Sequence, residues 1–431
     1  MRNCGAALAI WRGSFIHMIY ELKNIHIEIP PSVQEILDTL NGAGFEAYIV
    51  GGCVRDAILG RKPQDWDITT QALPYQVKSL FKSTADTGLE HGTVMVIKNG
   101  TGYEVTTFRI DGKYLDGRHP ESVEFTPSLK EDLKRRDFTI NAFAYSPETG
   151  VTDLFDGISD LNNGLVRCVG EPEKRFEEDA LRIMRAVRFS AQLKFKIEEK
   201  TASAIEKFAT ELAQVSRERI RVEFEKTLLS QNPQYVNLYR EFGLAPYIFP
   251  EYHERCFDPV NARVLAQLEC ENKDELKYLR LAAFFDKLSY EEVRKTCKNF
   301  TYDNRTKDTV SCIIRYRDFQ TDENRPAVKR AMRDMGDNVF RMVQKLKIAQ
   351  AKVNNEDASH YERLLEIYDD TAASGEAYVI SMLAVNGADL INAGIPQGTE
   401  IGKTLKRILD MVIEHPELNT KEKLLETVKR R

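Results

Sequence analysis

Between Pro30-Pro31-Ser32 and Asn41-Gly42 the apolar residues Val33, Ile36, Leu37 and Leu40 recur at helical spacing, which predicts a first helix opened by proline and closed at the asparagine–glycine pair. The pattern then changes. Phe45 to Val50 is a compact, mostly apolar run of strand length, Gly51-Gly52 breaks it, and Val54 to Leu59 predicts a short helix. Asp65 to Thr70 reads as a second strand, while Thr93 to Ile97 and Tyr103 to Arg109 flank Asn99-Gly100 as a hairpin. Asp111 to Glu121 carries Gly, Asp and Pro without a period and predicts a mobile loop. Beyond residue 170 the period is helical almost throughout. The pattern therefore predicts an α+β N-terminal part, a mixed sheet with helices, followed by an all-α remainder.

Composition narrows the class without changing that picture. The 431 residues are 42% apolar and 29% charged with no low-complexity tract, which excludes a disordered chain. No stretch approaches the ~20 apolar residues that a membrane span requires. The opening MRNCGAALAIWRGSFIHM is interrupted by Arg12-Gly13 and reads as a poor signal peptide, with Met18 an alternative start to Met1. Seven scattered cysteines form no CxxC pair, so neither a disulfide framework nor a zinc site is expected, and a reducing cytoplasm fits best. The net charge of −5 means that any RNA-binding surface must be a local patch. Residues 305 to 348, with 11 Lys or Arg against 6 Asp or Glu, are a candidate, with a solvated helix face as the equal alternative.

In a strand, residues i and i+2 share a face, so Asp65 and Asp67 would present two carboxylates on one side of PQDWDITT, separated by Trp66. Magnesium prefers oxygen ligands and is usually held by one or two carboxylates plus substrate phosphates. A lone pair of aspartates is weak evidence, but Gly52 precedes this one in a strand–glycine–helix turn where backbone N–H groups can approach a phosphate, and Arg55 projects from the first turn of that helix; an ordinary tight turn with a surface arginine is the alternative. Glu104, in YEVTTFR, is either a third ligand from a neighbouring strand or a solvent-facing glutamate.

Taken together, GGCVRDAILGRKPQDWDITT, KRRDFTINAFAY, LFDGISDL, EEDALRIMRAVRF, VSRERIRVEFEKTL and NGADLINAGIPQGTEIGKTLKRILDMVI resemble, in order, the motifs of the class II tRNA CCA-adding enzymes and bacterial poly(A) polymerases, a branch of the polymerase-β-like nucleotidyltransferases. The resemblance spans about residues 45 to 430. It implies a nucleotidyltransferase head at 31–160 after an extension at 1–30, a base-selecting neck at 161–235, and a body at 236–365 and tail at 366–431 that bind tRNA at its acceptor stem and elbow. It implies Mg2+ at Asp65 and Asp67 and contacts to ATP and CTP from Gly52, Arg55 and Arg136. Asp179 and Arg182 would read the base edge, and Arg185 and Arg188 would complete the basic side. The implied activity is addition of CCA to tRNA; an enzyme adding only A or only CC, a poly(A) polymerase and an inactive tRNA-binding protein are the alternatives.

Helical spacing supports the base-reading assignment. Ala180, Ile183, Met184, Val187 and Ala191 fall in one stripe, Arg182, Arg185 and Arg188 on the opposite side, and Asp179 one turn before Arg182. Cytosine and adenine both present an amino donor beside a ring-nitrogen acceptor. A carboxylate and a guanidinium side by side would satisfy that order and repel uracil and guanine. The loop 111–121, with Asp116, Arg118 and Pro120, is the expected lever for switching from C to A. Many bacterial relatives carry a His-Asp phosphohydrolase module. This chain has no His-Asp pair, and Asp286, behind Phe285 in LRLAAFFDKLS, reads as a helix-surface residue.

Overall fold

The helix predicted behind Pro30 is α1 (Pro31–Gly42), and Val33, Ile36, Leu37 and Leu40 are all buried in it. The computed structural model describes residues 25–112 and 123–429. They fall into two compact units, residues 1–215 and 216–431.

The first unit is built on a mixed seven-stranded sheet. Its strands are β1 (Ala47–Val50), β2 (Asp67–Thr70), β3 (Thr84–Gly88), β4 (Thr93–Lys98), β5 (Thr101–Thr107), β8 (Phe143–Ser146) and β9 (Gly150–Asp153), in the order β3-β4-β5-β2-β1-β8-β9. The hairpin β4–β5 turns at Asn99 and Gly100, both at positive φ, as asparagine–glycine favours. Helices α2 (Gly52–Ile58), α3 (Pro74–Leu80), α4 (Leu129–Lys134) and α5 (Gly157–Asn163) connect the strands. A second sheet pairs β6 (Arg109–Asp111) with β7 (Val123–Phe125), so the strand expected to run to Arg109 breaks at the buried Phe108. Asp111, expected in the loop, is thus the end of a strand; Asp116, Arg118 and Pro120 lie outside the described residues.

Two local expectations change. The second strand begins at Asp67 rather than Asp65, because its partner β1 ends at Val50, opposite Asp67, where Gly51 turns the chain away; Asp65 has no ladder to join. The expected continuous helix through Asp179 is two helices, α6 (Pro172–Glu178) and α7 (Leu181–Leu193), with Asp179 extended between them at φ −150°, ψ 104°. A short parallel pair, β10 (Leu165–Val166) and β11 (Lys196–Ile197), brackets them before α8 (Glu199–Lys207).

The second unit is helical in all its described elements. Several of its helices start at side-chain caps that the sequence supplies locally: Asn272, Ser289, Asp303 and Asn324 each accept backbone N–H groups of the first turn. Phe224, Phe249, Phe257 and Phe284 pack ring against ring in its interior. The basic stretch 305–348 fastens these helices together. Arg325 and Lys329 hold Glu376, Arg330 holds Glu414, Arg333 holds Asp410, and Arg341 and Lys345 share Glu275. Six of the eleven basic residues of the stretch thus meet carboxylates that lie outside it. Asp286 is not a surface residue either: it is half-buried, one carboxylate oxygen has no hydrogen-bond partner, and burial raises its pKa. Among the described residues no helix is long and apolar enough to cross a membrane.

Candidate active site in the N-terminal unit

Every expected site residue lies in the first unit. Gly51 adopts φ +83°, ψ −137°, and a Cβ there would stand 2.9 Å from Arg136 Nη1, so glycine is needed both for the turn and for the close approach of this guanidinium. Gly52 starts α2 against the Arg55 side chain, 3.5 Å from where its Cβ would be. Arg55 does not project from the helix start as a surface arginine. It is buried, its Nε donates to Asp56 Oδ1 at 2.9 Å, and its Nη1 donates to Asn141 Oδ1.

At the start of β2 the carboxylates gather. The parallel register Ile68↔Val105 sets Asp67 beside Glu104 on β5, and Asp65 approaches from the segment before the strand. The Asp67 pKa is raised, by burial first; Arg136 pulls it down and Asp65 pushes it up. Glu104 is raised by burial, then by Asp67 and Asp65. Neighbouring carboxylates thus oppose the ionisation of Asp67 and Glu104, and a divalent cation would relieve them, so the donor set fits a hard metal ion. Among the described residues no three His, Cys, Asp or Glu side chains form a metal-holding group on their own. Phosphate oxygens and water would have to complete the shell, as magnesium sites usually require.

The arginines are drawn together by partners that spacing did not reveal. Asp137 Oδ2 accepts Arg185 Nε at 2.7 Å, and Asp137 Oδ1 accepts Asn141 Nδ2 at 3.0 Å. Burial alone would raise the Asp137 pKa, yet Arg185, the Asn141 hydrogen bond and Arg182 hold it well below the usual carboxylate range. Arg188 is buried rather than solvent-facing, its guanidinium 4.2 Å from the Phe189 ring centroid; Arg55 and Arg185 rest on the same ring. Arg182 is 3.0 Å from Asp179 through the backbone, N–H to carbonyl, and its guanidinium is held by Glu178 and by the carbonyls of Arg175 and Arg135. The Asp179 carboxylate accepts the N–H of Leu181, at the head of α7.

Arg136 joins the two groups. It packs under Gly51, reaches Asp132 at 3.8 Å, and is one of the charges that Asp67 feels. The structure therefore brings Asp65, Asp67 and Glu104 together at one corner and Gly52, Arg55, Arg136, Arg185 and Arg188 together beside it, with Asp179 and Arg182 at the α6–α7 break. Sequence reasoning missed Asp137, Asn141, Glu178 and Phe189. The only available signal was that all four sit inside the two motifs that carry the arginines.

Residues 47–167 match the family model "Poly A polymerase head domain", residues 194–256 "Probable RNA and SrmB- binding site of polymerase A", and residues 272–428 a tRNA nucleotidyltransferase domain 2. The chain is 39% identical over 401 residues to the CCA-adding enzyme of Pediococcus pentosaceus, covering 91% of this chain and 96% of that protein. It is also 39% identical to the CCA-adding enzyme of Leuconostoc mesenteroides, covering 91% and 94%. Among solved structures it is similar to the Bacillus stearothermophilus CCA-adding enzyme in complex with CTP, at 33% identity and a TM-score of 0.77, covering 94% and 98%. The fold is shared with the Thermotoga maritima CCA-adding enzyme complexed with tRNA, at 22% identity and a TM-score of 0.62, covering 93% and 95%. The chain belongs to the CCA-adding enzyme family of tRNA nucleotidyltransferases.

Proposed function

From that membership we propose that this protein adds C, C and A to the 3′ end of tRNA, using CTP and ATP without a nucleic-acid template. The observation that carries the reading is the junction at Arg136, where a crowded carboxylate corner meets a cluster of arginines under a glycine turn. Nucleotidyl transfer needs both: oxygen ligands for a divalent ion, and cations for the triphosphate. Asp65 and Asp67, with Glu104 as third candidate, would hold the ion; Mg2+ suits a site of hard carboxylate oxygens. The bound ion would supply Lewis-acid stabilisation of charge at the reacting phosphate. Gly52, Arg55, Arg136, Arg185 and Arg188 would position the nucleotide, and Asp179 with Arg182 would present an acceptor and a donor to C or A. Glu178 holds the Arg182 guanidinium here, so a base has to compete with it.

The division into head (31–160), neck (161–235), body (236–365) and tail (366–431) is part of the same proposal, the last two gripping the acceptor stem and elbow of tRNA through phosphates. The unpaired thiols of the described cysteines suit a reducing cytoplasm. The test is incubation of the full chain with tRNAs ending before CCA, after C and after CC, each with labelled CTP or ATP. Stepwise C, C, A addition is expected. Extension of the last substrate alone would make this an A-adding enzyme, and incorporation on none would remove the enzyme reading.

A further inference from the structure

Arg55 on α2 and Arg185 on α7 are joined twice. Both guanidiniums lie against Phe189, at 5.1 and 5.4 Å from its ring centroid. They are also joined through polar atoms: Arg55 Nη1 donates to Asn141 Oδ1, Asn141 Nδ2 donates to Asp137 Oδ1 at 3.0 Å, and Asp137 Oδ2 accepts Arg185 Nε at 2.7 Å and Nη2 at 2.6 Å. Three of the four polar members of this circuit are buried: Arg55, Asn141 and Asp137 are 6%, 6% and 8% exposed, while the Arg185 side chain is 33% exposed at the open end. Asn141 is the one neutral polar member, and only a group that accepts on one side and donates on the other can stand between a guanidinium and a carboxylate.

We propose that Asn141 is a positioning residue for nucleotide binding, holding Arg55 and, through Asp137, Arg185 in one fixed arrangement. The inference rests on the nucleotide roles given above to those two arginines. Without the amide, Arg55 keeps Asp56 and the face of Phe189 but loses its hydrogen-bonded link to Asp137 and Arg185, and water has little access to replace the lost bond. The two arginines then share only the Phe189 ring, and the cost falls first on ground-state binding of the triphosphate nucleotide; the Asp179 carboxylate and the Arg182 guanidinium keep their holds on Leu181 N–H and Glu178.

The test compares wild type, Asn141→Ala and Asn141→Asp as full chains, measuring steady-state extension of CCA-less tRNA and, separately, ATP binding by equilibrium dialysis. For Asn141→Ala the KM for CTP and ATP and the dialysis Kd rise about tenfold, the scale of one charge-assisted hydrogen bond, while kcat changes less and UTP and GTP stay excluded. Asn141→Asp carries the signature that a purely structural role lacks. A protonated carboxyl matches the amide, its O–H donating to Asp137 and its carbonyl accepting from Arg55. The ionised form faces the Asp137 carboxylate, with Arg55 on α2, Arg136 on its own segment and Arg182 and Arg185 on α7 as the neighbouring cations and Asp56 as the other anion. Its KM defect relative to wild type should therefore shrink as pH falls from about 8 to about 6. Wild-type KM and Kd in Asn141→Ala overturn the proposal, as does a loss of kcat alone with no pH-dependent recovery in Asn141→Asp. Wild-type protein that binds ATP but extends no tRNA would instead overturn the enzyme reading and leave the dialysis comparison to decide the role of Asn141.

Discussion

Asp67 and Asp137 are both aspartates of the N-terminal unit, and burial pushes both carboxyl groups towards the neutral form, yet their pKa values shift in opposite directions. Asp67 sits with Asp65 and Glu104, and Arg136 alone among its named neighbours relieves it, so its pKa stays raised. Asp137 takes hydrogen bonds from Asn141, Arg185 and the N–H of Phe138, and it is driven far down. On the proposed reading a cation completes the first arrangement; the second is complete in the protein alone. The corner proposed to take an ion is the one where charge is uncompensated, and the pairing that holds Arg185 is satisfied within the fold.

The contrast can be broken most severely at the first corner. Asp65→Ala should lower incorporation by on the order of 10³-fold or more while tRNA retention in filter binding is unchanged; near-normal activity would take Asp65 out of the metal site. Next in size is the framework. Asp137→Ala leaves the Arg185 guanidinium without its buried carboxylate and should cost about 3–5 kcal/mol in urea unfolding of the transition that reports the first unit. The sign follows from the lowered pKa: Asp137 contributes stability above the unfolded carboxylate value, and that contribution disappears as pH falls through the folded one. The wild-type advantage over Asp137→Ala should therefore shrink in acid, and a constant difference would contradict the pairing.

The smallest effect has the opposite direction. Asp67 has a raised pKa, so its contribution favours the folded state at low pH and is lost as pH rises through the folded value. At neutral pH and without divalent ions, Asp67→Asn should raise the Tm slightly even as it removes activity. Saturating Mg2+ should erase that gain by stabilising the wild type only. A lower Tm for the variant without metal would show that the carboxylates do not repel one another there.

How much of this was legible in the sequence depended on distance along the chain. The α1 stripe, the Asn99-Gly100 hairpin, the glycine turn and the Ile183–Met184–Val187 face of α7 rest on neighbours within a few residues, and all four are present. Asp65 failed as a strand residue because the end of β2 is decided by where β1 stops, across the sheet. The helical spacing of Asp179 and Arg182 failed because α6 and α7 are separate, with Asp179 turned to cap the second of them. The basic stretch 305–348 was ambiguous for the same reason. Whether a basic row is a surface or a seam depends on acids such as Glu275 and Glu376, which pattern along the row does not reveal.

By itself the amino-acid sequence determined the elements, the glycine turn and the identity of the acids and bases available for chemistry, since backbone sterics and helix or strand periodicity act locally. Only the tertiary structure decided which of those charges are satisfied. The bond from Arg55 to Asn141 spans 86 positions and that from Arg185 to Asp137 spans 48, and both desolvation and Coulomb energy depend on separation in space rather than along the chain.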